Sequence, residues 1–201
     1  GIVFLHDFYD APHEAGLRLF NDFYDWFNYT AEVILKNNLN FAFKFHPNSK
    51  PESIQFNNYL VSKYNTLNFI PGNISNNEIF SQKKFEVGIS VCGSVLYELV
   101  ARKKKIIYLS PNLVSPLNLI NLPKNKQDYK NLLINYKKIN KINKKNVSDT
   151  YKLFYMLYKD QSYLKCEIAK KVKLKDMNIN KTGDFSIYSN KIEKRVKQIL
   201  Q

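Results

Sequence analysis

Within the first 111 residues five apolar runs alternate with four stretches of helical spacing, and no other feature restricts the fold so strongly. GIVFLHDF is continuously apolar and ends in polar residues, as expected of a strand buried on both faces. Residues 17–38 then place Leu19, Phe20, Phe23, Phe27, Ala31, Val33 and Ile34 close to helical periodicity. FAFKFHP reads as the second strand. Pro51 follows at a favoured first helical position, with Ile54, Tyr59, Leu60 and Tyr64 roughly on one side of the next helix. LNFIPG is a short strand closed by Pro-Gly, and NNEIFSQ a brief helix. FEVGISV, GSVLYELVARKKK and KIIYLSP complete the series as strand, helix and strand. Alternation with short connections predicts an α/β fold: a Rossmann-like parallel sheet of about five strands flanked by helices, followed by a C-terminal helical segment.

The pattern changes after Pro111. Residues 112–125 carry two prolines and no clear period, so they read as a loop or extended crossover. Residues 126–142 and 147–172 are Lys- and Tyr-rich with helical spacing, KTGDFS (181–186) marks a turn, and YSNKIEKRVKQIL is a final amphipathic helix. The expected organisation is a ligand-binding domain over 1–123 and a basic helical segment over 124–201 packed on it. A chain of 201 residues supports one domain with a real core. Its 44% hydrophobic content excludes the disordered class. No run approaches the roughly 18–20 apolar residues of a membrane span. The first residues lack a signal-peptide pattern and begin inside an expected strand, which points to a domain cut from a longer protein. Cys92 and Cys166 have no metal-ligand spacing and read as reduced thiols in a cytoplasmic protein.

Charge is divided unevenly. Residues 1–100 hold 7 Lys and Arg against 10 Asp and Glu, a net of −3. The remaining residues hold 24 against 7, a net of +17. Such a half meets anionic partners or is simply a solvated lysine surface. With only Arg102 and Arg195 in it, nucleic acid is not the expected partner.

If the strands are placed correctly, the chemistry-bearing residues gather at one rim of the sheet, where α/β proteins bind ligands. His6, Asp7, Asp10 and His13 follow the first strand, and His46 with Pro47, Asn48 and Ser49 the second. Cys92, Gly93 and Ser94 follow the fourth, and Ser110, Pro111 and Asn112 the fifth. In VCGSVLYEL, Gly93 permits a tight turn and close backbone approach, and Ser94 opens a helix whose N–H groups favour phosphate. Glu98 lies one turn on, where it can take a pair of ribose hydroxyls. An ordinary capped helix with a solvent-facing Glu reads the same way. There is no G-x-G-x-x-G, Walker or G-x-S-x-G motif. The two His and two Asp of HDFYDAPHEAG fit no familiar zinc spacing, so no metal is expected.

Three segments carry a resemblance. HDFYDAPHEAG followed by LFNDFYDWF is similar to the opening of a group of capsular-polysaccharide biosynthesis proteins. FKFHPNS resembles the His-Pro motif of bacterial sialyltransferases, Kdo transferases and CDP-glycerol polymerases, and VCGSVLYELVARKKKIIYLS their strand–Ser–helix segment. Over about residues 1–120 the chain thus resembles the C-terminal, donor-nucleotide half of GT-B glycosyltransferases acting in bacterial surface-polysaccharide synthesis. The resemblance implies transfer of a sugar from a CMP-, CDP- or UDP-linked donor, with the nucleotide-sugar as substrate and no cofactor. It implies that His46 and Ser94 contact the donor phosphate and Glu98 the ribose, with Pro47 and Gly93 shaping the site. His46, Asp7, Asp10 and His13 are the catalytic candidates, with Glu14 beside them, and the base is left open among them. It further implies a glycan acceptor and a separate N-terminal Rossmann-like domain without which this part is inactive. The +17 half, for its part, suits contact with an anionic membrane from the cytoplasmic side or with an anionic glycan acceptor. The alternatives are a sugar-nucleotide epimerase of the UDP-N-acetylglucosamine 2-epimerase type and a noncatalytic basic α/β binding module.

Overall fold

Five short strands form one parallel sheet: β1 (Ile2–Phe4), β2 (Ala42–Lys44), β3 (Asn68–Ile70), β4 (Val87–Ser90) and β5 (Lys105–Tyr108), in the order β3-β2-β1-β4-β5. They belong to a computed structural model that describes residues 1–11, 16–81, 85–111, 117 and 119–158. Helices α1 (Phe23–Lys36), α2 (Pro51–Lys63), α3 (Asn76–Ser81) and α4 (Val95–Ala101) make the crossovers, and α5 (Lys126–Ile134) and α6 (Lys144–Tyr158) follow. Gly1–Val147 is one compact unit and Ser148–Gln201 a second, described over 148–158. The expected turn at 181–186, the final helix and Cys166 lie outside the described residues.

The alternation of strand side chains sets the layers. Val3 and Leu5, Phe41, Phe43 and Phe45, Val87, Ile89 and Val91, and Ile107 and Leu109 join one core with Trp26, Phe27, Ala31 and Ile34 of α1 and Tyr129 and Leu133 of α5. α2 lies on this same side, its Phe56 ring 5.0 Å from Phe8 and 5.3 Å from Tyr24. Phe4 faces the other layer, 6.0 Å from the Phe80 ring of α3, while Gly88 lets α4 approach so closely that a Cβ there would stand 2.5 Å from Leu99. Helices on both faces bury β1, β4 and β5 throughout, which is why these strands read as continuous apolar runs, while β3 at the edge stays partly exposed.

Helix starts are written in local hydrogen bonds. Asp22 accepts the Asp25 N–H at 2.6 Å, and the Asp25 carboxylate accepts the Asn21 N–H. At α5 Asn125 likewise accepts the Asp128 N–H while Asp128 accepts from the Lys124 N–H, and at α3 Ser75 and Glu78 each accept the other's N–H. These boxes satisfy donors that the first helical turn leaves free. Asp22 also places the start of α1 at Phe23, later than the apolar spacing from Leu17 onward implied.

Candidate functional site

β1 and β4 are neighbours whose chains leave in opposite directions, β1 toward β2 and β4 toward β5. The gap between the loops after them is the topological switch point, where parallel α/β sheets take ligands. Two residues beyond β1 stands His6, and two beyond β4 stands Cys92. The Cys92 backbone N–H donates to His6 Nε2 at 3.2 Å, and Cys92 Sγ lies 3.4 Å from the same nitrogen. The Cys92 carbonyl oxygen also lies 3.2 Å from Nε2, so this nitrogen accepts from the Cys92 N–H in one tautomer and donates to the Cys92 carbonyl in the other. Ser90 Oγ, donating between the Phe4 and Cys92 carbonyls at 3.2 Å each, ties the same two strand ends together.

His6 is the hub of this rim. Its ring stacks on Phe23 at 4.8 Å between centroids, and His46 lies nearly parallel to it at 6.5 Å. His6 therefore stands between the β2 loop carrying His46 and the β4 loop carrying Cys92, Gly93 and Ser94. Burial, and after it the charge of His46, holds the His6 pKa below the ordinary 6.5, against the opposing pull of the Cys92 carbonyl and Asp10. The folded state thus resists a proton that the unfolded chain accepts. Stability linked to His6 is present above about pH 6.5 and lost as pH falls below it. Melting temperature measured from about pH 8 down to about pH 5 should fall for the wild type, and His6→Gln, which can still accept the Cys92 N–H, should flatten that fall.

The β2 loop is fixed by backbone contacts. Phe41, Phe43 and Phe45 are buried, as expected, and the Phe45 N–H still pairs with the Ile70 carbonyl, so His46 is the first residue beyond the sheet. The Asn48 N–H reaches His46 Nδ1 at 3.3 Å, and Ser49 Oγ donates to the His46 carbonyl at 2.9 Å. Gly72 passes so near that a Cβ would stand 2.6 Å from the His46 carbonyl oxygen. Beneath them Lys44 is buried, donating to Phe45 O at 2.9 Å and Gly72 O at 2.8 Å; burial pushes its pKa down. Lys44 joins the loops after β2 and β3. The signal for it was a lysine inside the apolar run FAFKF.

Gly93 adopts φ +105°, a left-handed backbone that only glycine takes without strain, and no atom lies within 4 Å of where its Cβ would be. Its carbonyl accepts the Tyr108 hydroxyl at 3.0 Å, anchoring the turn to β5. Ser94 is exposed at the N-cap of α4, and its side chain makes no capping hydrogen bond. Glu98, half-buried one turn later, accepts from Asn76 Nδ2 at 3.0 Å, which joins α3 to α4.

The acidic candidates divide. Asp7 is buried and accepts from the Tyr9 N–H and the Lys50 N–H, both at 2.9 Å, and from the Ser53 hydroxyl. Burial pushes its pKa up, but these hydrogen bonds and the Lys50 charge outweigh it and hold the carboxyl below 3.8. That saturated carboxylate links the β1 loop to the start of α2. Asp10 lies in the same loop with its carboxylate 3.6 Å from the Lys50 ammonium, partly exposed. His13 and Glu14 lie outside the described residues. The structure therefore gathers His46, Gly93 and Ser94 around His6 and gives Asp7 to the scaffold.

Cys92 is half-buried, and its thiol is pushed up to about 11, first by burial and then by Asp10, so it is protonated at neutral pH. Among the described residues no group of three or more His, Cys, Asp or Glu is placed to hold a metal ion. Comparison of the chain with protein-family models, curated proteins and solved structures gave no match.

Proposed function

We propose that this chain is the donor-nucleotide-binding half of a glycosyltransferase whose substrate is a nucleotide-activated sugar. The observation that carries the reading is His6 standing between His46 and the open Gly93–Ser94 turn at the β1/β4 switch point. Likeness of the His-Pro and strand–Ser–helix segments to the enzymes above supplies the reaction class.

In this reading the phosphate of the donor sits over the Gly93 turn. The absence of a side chain there leaves room for close approach, and the free Ser94 hydroxyl donates to a phosphate oxygen. His46 donates from the opposite loop. Glu98 turns its carboxylate to the ribose hydroxyls while Asn76 holds it in place. During transfer the bond between the anomeric carbon and the phosphate oxygen breaks, and its electron pair stays on the phosphate. The acceptor hydroxyl forms the new glycosidic bond and yields its proton to a base on the acceptor side. Donors already aimed at the phosphate stabilise the charge that develops there. His6, neutral and locked to Cys92, positions both loops.

Calorimetric titration with CMP, CDP, UDP and GDP tests the reading. One nucleotide is expected to bind in preference to the others, and His46→Ala and Ser94→Ala should each weaken it by about ten- to a hundredfold, the loss of one hydrogen bond to a charged group. Equal binding by both variants, or no binding by any nucleotide, removes the proposal.

A further inference from the structure

Far from the candidate site, residues 137–145 read KKINKINKK, a run in which lysine recurs and acidic residues are absent. Over the wider stretch 124–145 eight lysines face a single acid, Asp128, and no arginine occurs. Ile139 and Ile142 are buried and pin the segment to the core, while Lys137, Lys138, Lys141, Lys144 and Lys145 are all exposed. None of these five makes an ion pair among the described residues.

The position of the run follows from what it touches. Lys105, the first residue of β5, donates to the Lys137 carbonyl at 2.7 Å and to the Tyr136 carbonyl at 3.4 Å. The Tyr136 ring packs edge-on against Phe41, just before β2, at 5.2 Å. Both contacts are with strand beginnings, so the run starts at the amino-terminal edge of the sheet, opposite the rim that carries His6 and His46. Two of them also oppose local stability. Asn143 and Asn146 cap each other's backbone N–H groups at the start of α6, fixing Lys144 and Lys145 in its first turn. Positive charge there adds to the positive end of the helix dipole instead of offsetting it. A fold that concentrates like charge at its own expense does so where a partner neutralises it.

We propose that residues 137–145 form a docking surface for an anionic lipid membrane. Clustered lysines at the edge of a domain suit a diffuse sheet of negative headgroups, each ammonium acting as a point charge near the surface. Recognition of nucleic-acid phosphates and base edges draws on the planar arginine fork and on exposed aromatics. This run has no arginine, and its adjoining aromatic, Tyr136, is half-buried against Phe41. Docked by this edge, the chain keeps the opposite rim free for its own ligand.

Cosedimentation of the 201-residue chain with vesicles decides the matter. It should pellet with vesicles of phosphatidylglycerol and phosphatidylcholine in equal parts and stay in solution with phosphatidylcholine alone. Added salt should release it. Changing Lys137, Lys138, Lys141, Lys144 and Lys145 together to Gln should weaken binding on the order of a thousandfold. Changing Lys124 and Lys126, at the start of α5, to Gln should leave it within about threefold of the wild type. Should the fivefold variant fail to fold, K144E/K145E serves in its place. It puts carboxylates where the α6 dipole favours them and should still cost binding about a hundredfold or more. Equal loss in the two Gln sets, retention in the first set, or no lipid binding by the wild type overturns the proposal. So does binding to duplex DNA or single-stranded RNA that the first set abolishes while vesicles are ignored.

Discussion

Trp26→Ala is expected to destabilise the sheet domain by about 3–5 kcal/mol, the usual cost of emptying a buried aromatic site. Trp26 is wholly buried between α1 and α5, and its indole closes a ring of hydrogen bonds. Nε1–H donates to the Tyr129 hydroxyl at 3.0 Å, and Thr30 Oγ1 donates to the Trp26 carbonyl at 2.7 Å. The remaining contact, 2.9 Å between the Tyr129 hydroxyl and Thr30 Oγ1, then has only one direction left, from tyrosine to threonine. Each hydroxyl gives one hydrogen bond and accepts one. Tyr129→Phe breaks the circuit with little change of volume and leaves the indole N–H without its acceptor, for about 1–3 kcal/mol. Urea unfolding followed by far-ultraviolet circular dichroism reads both values. If Tyr129→Phe costs as much as Trp26→Ala, packing is not the larger part of what joins α5 to α1.

Asp7 gives the second large effect. Asp7→Ala leaves the Tyr9 and Lys50 N–H groups and the Ser53 hydroxyl without their shared acceptor, at an expected cost of about 2–4 kcal/mol. Because the folded pKa is held below 3.8, the carboxylate's contribution is complete above about that pH and disappears as pH falls through the folded value. The stability difference between wild type and Asp7→Asn should therefore be constant near neutrality and shrink in acid. Asp7→Asn should also bind the preferred nucleotide as the wild type does, once allowance is made for the unfolded fraction. A binding loss beyond that would return Asp7 to the ligand site.

The strands and their order of appearance were legible because each is an apolar run a few residues long, bounded by Pro, Gly or Asn. Pro51 begins α2 as its fixed φ favours, and Phe41, Phe43 and Phe45 are buried as FAFKF implied. The rim positions of His46, Gly93 and Ser94 followed from the strand ends, since side chains just past parallel strands emerge on one edge. His6 and Lys44 were harder to assign. Both sit within apolar runs, and their roles depend on groups 86 and 28 residues away, the Cys92 backbone and the Gly72 carbonyl. Asp7 and Asp10 are equivalent as letters in one loop. Their separation into a buried acceptor and a partly exposed ion pair comes from where α2 begins.

The sequence by itself determined the α/β class, because hydrophobic periodicity and turn residues are local properties that each segment carries alone. It determined the imbalance of charge for the same reason. The tertiary structure decided that β1 lies between β2 and β4, which creates the switch point and brings His6 to Cys92 and His46. It also decided that the run 137–145 starts at the opposite edge, through contacts of Lys137 and Tyr136 with Lys105 and Phe41. Strand order and the meeting of distant side chains depend on how buried surfaces fit together, and no local run of residues encodes that.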